Sequence, residues 1–268
     1  MRLKLTIEYA GTRYSGWQIQ KNARTVQGEI ERAISEATGI ADFELYGSGR
    51  TDSGVHALAQ AAHLDIATNL PADTLRRRIN DALPTDIAVL QIERVRHRFH
   101  ARHDAVARSY LYQVARRRTA FFKPFVWWVK DELSIDPMRA AAGAFVGFHD
   151  FRAFSDDDPG EKSTEVLVDS LEIFEDEDLI LFHIEGSHFL WKMVRRVVGV
   201  LIEVGRGRLA PSDVAGLFNA GGKDIARLTA PASGLFLERV YYEGDPRDTP
   251  VRPIVTLRGA TPPQRRES

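Results

Sequence analysis

The apolar residues of this chain switch period from two to about 3.6 and back, and they do so in both halves, which confines the chain to folds that lay helices on a mixed sheet. Leu3, Leu5, Ile7 and Tyr9 alternate with Lys4, Thr6 and Glu8, the pattern of a half-buried strand. Val26, Ile30, Ala33 and Ala37 then follow at helical spacing, with Thr25 placed as N-cap and Gly39 as the stop. Phe43–Tyr46 reads as a short strand, 60–66 as extended, Leu75, Ile79 and Ala82 as a helix halted by Pro84, and 86–95 as a strand. The second half repeats the alternation. Strands are expected at 110–114, 166–174, 179–185 and 234–242. A helix should open at Asp136-Pro137 and end near Gly147, a long one should cover 189–204, and a shorter one should begin near Pro211. The pattern therefore predicts an α+β protein of two similar mixed-sheet α/β halves meeting face to face, residues 1–105 and 106–244. Residues 245–268, rich in Pro, Arg and Asp, are expected to form a flexible tail.

Composition removes several kinds of chemistry. Cysteine is absent, so disulfides, thiol nucleophiles and cysteine-ligated zinc are excluded. No apolar run approaches the roughly 18 residues a membrane span needs, and a cytoplasmic location is expected. The net charge of -1 conceals a segregation. Residues 94–118 hold eight arginines and one acid, Asp104, whereas 156–185 hold twelve acids and one lysine, Lys162. A basic stretch is either a polyanion footprint or a solvated surface. The acidic stretch is expected mostly on the outside of strands. His97, His100 and His103 have a ligand-like spacing, but Arg96, Arg98 and Arg102 among them would repel a cation. They read as RNA-facing or solvated, and no metal is expected.

Chemistry is concentrated in Gly47-Ser-Gly-Arg-Thr-Asp-Ser-Gly-Val-His56. Three glycines make this a tightly folded loop between two strands, with Asp52 at its centre. Such a carboxylate serves as nucleophile, base or metal ligand, or else merely closes a turn onto its own backbone. The loop lacks the lysine of a phosphate-binding loop and the Gly-x-Ser-x-Gly of a nucleophile elbow.

Gly49-Arg-Thr-Asp-Ser-Gly-Val-His-Ala57 closely resembles the active-site loop of the A-type tRNA pseudouridine synthases, and further segments agree in order. They are Tyr9-Ala-Gly-Thr-Arg-Tyr-Ser-Gly-Trp-Gln18, Thr25-Val-Gln27, Phe99-His-Ala-Arg102 with Arg108-Ser-Tyr-Leu-Tyr112, Phe189-Leu-Trp-Lys-Met-Val-Arg-Arg-Val-Val-Gly199, and Ala230-Pro-Ala-Ser-Gly-Leu-Phe-Leu237. The resemblance implies the pseudouridine synthase fold, with the two α/β halves packed around a central cleft, a homodimer working without cofactor, and uridine in the anticodon stem-loop of tRNA, positions 38–40, as substrate. It implies Asp52 as the essential carboxylate, which could attack C1′, attack C6 or remove a ribose proton. It gives Tyr110 the role of stacking on the base, or of a general base, where strand periodicity alone would make it a core tyrosine. Arg195 is implied as the ion-pair partner of Asp52 and an aid to base flipping. This chain departs from the pattern with Ser53 in place of alanine and with the acidic loop Asp156-Asp-Asp-Pro-Gly-Glu161. That loop would repel RNA if it lay near the cleft mouth.

At 100° per residue, the helix at 189–204 is apolar over more than half its circumference, with Lys192, Arg195, Arg196 and Gly199 in the remaining sector. Lys192 and Arg196 are expected to snorkel to solvent, and Arg195 to be the most enclosed. A cation beside Asp52 should lower its pKa. Arg50, Arg102, Arg108, Lys192 and Arg76, Arg77 and Arg78 are the expected RNA contacts, together with Arg94, Arg96, Arg98 and Arg116–Arg118. Two rival functions remain: a non-catalytic RNA-binding protein or chaperone of the same fold, and a nucleoside or glycoside hydrolase. The second would want another placed carboxylate.

Overall fold

The computed structural model describes residues 1–160 and 163–257. In the first half, β1 (Arg2–Tyr9), β2 (Phe43–Gly47), β3 (His56–Ile66) and β4 (Ile87–Arg94) form strands, with α1 (Val26–Thr38) and α2 (Ala72–Ala82) between them. Thr25 Oγ1 accepts a hydrogen bond from Gly28 N at 3.3 Å, and Gly39 closes α1 at φ 70°. That is the cap-and-stop pair the sequence pattern predicts. Ile30 and Ile34 of α1 and Leu75 and Ile79 of α2 pack with Leu3, Leu5 and Ile7 of β1 in one core. Burying such side chains stabilises by about 1.5–3 kcal/mol each.

In the second half follow β5 (Ala105–Ala115), β6 (Trp127–Trp128), α3 (Ile135–Ala142), β7 (Gly147–Asp150), β8 (Glu165–Asp176), β9 (Leu179–Gly186), α4 (Met193–Gly205), α5 (Gly222–Arg227) and β10 (Leu235–Tyr242). Ser134, not Asp136, is the N-cap of α3, so Asp136 and Pro137 lie in its first turn. The segment from Pro211 is a 3-10 run to Asn219 rather than an α-helix. Helix α4 starts four residues later than its apolar pattern suggests, because Lys192 sits in the left-handed region at φ 64°.

The strands pair in the order β4-β1-β3-β10-β5-β9-β8-β7, with β2 on β3 and β6 on β5. The two half-sheets are therefore one continuous sheet, and β10 is the seam between them. It runs parallel to β3 and antiparallel to β5. Leu235 belongs to the second core, while Leu237, Val240 and Tyr242 belong to the first. Conversely Val55, just before β3, packs in the second core, and Tyr110 of β5 touches both. β10, within 106–244, thus also completes the sheet and core of 1–105.

The start of the expected tail is docked. Val255 and Leu257 are buried against Leu111, Ala115, Leu179 and Leu181, on the face opposite Tyr112 and Val114. Ile254 N donates to Gln113 Oε1 at 2.6 Å, and Arg247 pairs with Glu185 at 3.0 Å. Scattered apolar residues among prolines carry no period, which is why this docking is invisible to pattern reading. The rest of the tail, 258–268, and Glu161 and Lys162 of the acidic stretch lie outside the described residues.

Candidate active site

Asp52 stands in the loop between β2 and β3, and the segment after β1 wraps around it. Trp17 N donates to Thr51 O at 3.1 Å, Ser53 Oγ to Tyr14 O at 3.1 Å, and the Tyr9 hydroxyl is 2.8 Å from Thr51 Oγ1. The wrap needs glycine at two points of backbone contact. A Cβ on Gly11 would lie 1.9 Å from Val55 O, and one on Gly16, which has φ 90°, would lie 2.5 Å from Thr51 O. The segment Tyr9–Gln18 is thus the cradle of the Asp52 loop. Its physical role was not legible from its residues.

Arg195, in the first turn of α4, reaches across the seam. Its Nη1 lies 3.5 Å from Asp52 Oδ2. This is one long contact and not a two-pronged fork, because Nε is committed to Ala230 O at 2.6 Å. Ala230 N in turn donates to Arg195 O at 3.0 Å, so the segment leading into β10 sets the direction of the guanidinium. Tyr112 extends the same support by donating its hydroxyl proton to Pro231 O at 2.8 Å. Burial pushes the Asp52 carboxyl above its ordinary pKa. Arg195 and Lys192 pull against that rise and Asp157 adds to it, so the expected lowering by a cation is outweighed by desolvation. Tyr110 faces the phenyl ring of Phe189 edge-on, with centroids 5.1 Å apart. Burial, then the charge of Asp52, pushes its phenol up to about 12. A phenol held so high favours stacking over proton abstraction at neutral pH.

The other expected contacts divide. Arg50 is exposed and bonds Gln18 Oε1 through Nε at 3.1 Å; among the described residues it makes no ion pair with Asp52. Arg108 is spent inside the protein: its guanidinium donates to the carbonyls of Ser187, Arg102 and Ala105 at 2.8, 3.0 and 3.1 Å. It ties together the loops beside Tyr110. Arg102 is itself exposed. Arg76, Arg77 and Arg78 lie on α2, Arg76 3.8 Å from Asp73. Arg116 pairs with Glu175, and Arg117 with Asp178 at 2.5 Å, so the end of β8 and the turn into β9 neutralise part of the basic stretch. The three histidines expected to face RNA or solvent lie in a loop. His100 packs 4.7 Å from His63 and 4.2 Å from His103, and no metal-holding group occurs among the described residues.

The largest correction concerns Arg196. Its side chain is 3% exposed, against 16% for Arg195 and 32% for Lys192, so Arg196 and not Arg195 is the most enclosed of the three. Asp156 accounts for it, pairing closely with Arg196 and holding Lys192 Nζ at 2.7 Å. Part of the acidic loop expected to repel RNA is instead the counter-charge of the helix. Gly199, grouped with the basic residues by angle, is buried.

A family profile described as tRNA pseudouridine synthase matches residues 5–104 and 141–243. Asp52 and Arg195 fall inside the matched segments, and Tyr110 falls between them. The tRNA pseudouridine synthase A 2 of Clostridium tetani is 39% identical over 246 residues, covering 90% of this chain and 98% of that protein. The tRNA pseudouridine synthase A of Ruminiclostridium cellulolyticum is 40% identical over 244 residues, covering 90% and 99%. That of Bacillus anthracis, also designated A 2, is 39% identical over 242 residues, covering 89% and 98%. The chain belongs to the tRNA pseudouridine synthase family.

Proposed function

We propose that this protein isomerises uridine to pseudouridine in the anticodon stem-loop of tRNA, positions 38–40, with Asp52 as the reacting carboxylate. The observation that carries the reading is the approach of Arg195 to Asp52 at 3.5 Å beside Tyr110, where the two cores meet. The reaction breaks the N1–C1′ bond of the nucleotide, joins C5 to C1′, and moves the C5 proton to N1, with no net redox change. Asp52, partly buried, meets the positive charge that develops at the sugar. Arg195 holds the carboxylate ionised against desolvation and occupies space from which the target nucleotide has been turned out. Tyr110 supplies a ring for the uracil. Arg102, Arg50 and the arginines of α2 dock phosphates, giving affinity and register rather than base specificity. The protein acts as a homodimer in the cytoplasm. Among the described residues no helix is long and apolar enough to cross a membrane.

The test is Asp52→Asn, which keeps shape and removes charge. Pseudouridine formation on unmodified tRNA should vanish, while tRNA binding stays within a few-fold of the parent. Turnover by a variant free of parent protein would overturn the reading. Release of free uracil by the parent would point to a hydrolase instead.

A further inference from the structure

Lys192, Arg195 and Arg196 crowd three cations around the start of α4, the positive end of the helix dipole, where cations are disfavoured. The loop that follows β7 offsets them. Asp156 pairs through one carboxylate oxygen with Arg196 and through the other with Lys192 Nζ at 2.7 Å. Asp157 Oδ2 accepts from Trp191 N at 2.8 Å, and Ser155 Oγ donates to Trp191 O at 3.2 Å. Residues 155–157 therefore hold both ends of the segment 191–196. Neighbouring residues on a helix point about 100° apart, so Arg195 and Arg196 cannot share a partner. One faces Asp52 and the other Asp156. Lys192 adds strain, since a non-glycine residue at φ 64° holds only when its surroundings fix it. The contact of Arg195 with Asp52 is already long at 3.5 Å, so a small rotation of the first turn breaks it.

We propose that Asp156 is a positioning residue for the isomerisation: by gripping Lys192 and Arg196 at once, it fixes the turn that presents Arg195 to Asp52. The inference rests on Asp52 and Arg195 being the reacting carboxylate and its counter-ion. The groups that bear on Asp52 are Arg195, Lys192, Asp157 and Tyr110. When Arg195 swings away, the burial of Asp52 goes less opposed and its carboxyl titrates higher. If Asp156 were only a nearby negative charge, its removal would let Asp52 titrate lower.

The experiment compares Asp156→Asn, Asp156→Glu and the double variant Asp156→Asn with Arg196→Met. It measures single-turnover rate on unmodified tRNA across pH, tRNA affinity, and thermal stability. Asp156→Asn should slow the bound reaction by about 10–100-fold, the scale of a misplaced catalytic group. The acidic limb of its rate profile should move to higher pH, with tRNA affinity little changed. Asp156→Glu should recover part of the rate. The double variant removes both charges and should regain thermal stability while remaining slow. Recovery of rate together with stability in the double variant overturns the proposal, as does a limb that moves to lower pH. If Asp52→Asn proves active, the assignment beneath the inference falls; if Asp52→Asn is dead and Asp156→Asn runs at full rate, only the positioning role falls.

Discussion

In the first half of the molecule, glycines let backbone press against backbone around the Asp52 loop, with Gly11 and Gly16 at the points of closest approach. In the second half the start of α4 is held by charge, with Asp156 placed between Lys192 and a buried Arg196. The carboxylate is thus fixed by shape and its counter-ion by electrostatics. Shape tolerates changes of salt and pH but not an added methyl group. Charge tolerates small changes of volume but not the loss of a partner.

The sharpest way to break this comparison is to delete one charge. Asp156→Ala leaves Arg196 buried without its counter-ion and should cost about 3–5 kcal/mol, measured by chemical denaturation. Arg196→Met should cost distinctly less, because Asp156 is 33% exposed and keeps Lys192. Equal costs would show that the pair is not held mainly by desolvation of the arginine. Next in size is Gly11→Ala, which drives a methyl group into the Val55 carbonyl. It should cost about 1–3 kcal/mol, with little dependence on salt. A cost that shrinks at high salt would put charge into the first half as well.

Titration offers a gentler separation. Burial, then the charges of Arg2 and His100, hold the His63 imidazole down to about 4, below its ordinary value of 6.5. Its contribution is therefore complete above about pH 6.5 and is lost as the pH falls towards 4. For Asp156, burial alone would raise the carboxyl, but the hydrogen bonds from Lys192 and Arg196 bring it below 3.8. Its stabilisation is lost only as the pH falls through that lower value. Hydrogen exchange should thus show the Ala101 amide, which His63 Nδ1 accepts, opening at a higher pH than the start of α4. The reverse order would contradict the contrast. The smallest effect is expected at the surface. Among the described residues Arg94, Arg98 and Arg102 have no acidic partner, whereas Arg116 and Arg117 are paired with Glu175 and Asp178. Neutralising the first group should lower the salt slope of tRNA binding by about one for each phosphate that then goes unpaired; neutralising Arg116 and Arg117 should leave it nearly unchanged.

What the sequence revealed was local. The cap at Thr25, the stop at Gly39 and the apolar periods of β1 and α1 are written in residues a few positions apart, and all three appear in the structure. The compact loop around Asp52 was marked by its glycines. What stayed hidden depends on residues far apart in the chain. A helical wheel places Arg196 by angle alone and knows nothing of Asp156, forty positions earlier. The left-handed Lys192 that delays α4 is stabilised by that same distant loop. Likewise, no period in β10 shows that it inserts between strands from opposite halves.

That insertion governs when the enzyme comes into being. Among the described strands, the two half-sheets are joined only through β10, whose Phe236 lies opposite His56. On a ribosome, a chain that has released β1 to β9 and α4 already carries Asp52, Tyr110 and Arg195. It still lacks the strand that seams the halves, and the Ala230 carbonyl that aims Arg195 has only just preceded it. Closing so long a loop is slow and comes late. The proposed site is therefore expected to assemble only once β10 has emerged, and a chain cut short before β10 should carry Asp52, Tyr110 and Arg195 without the strand that seams the halves around them.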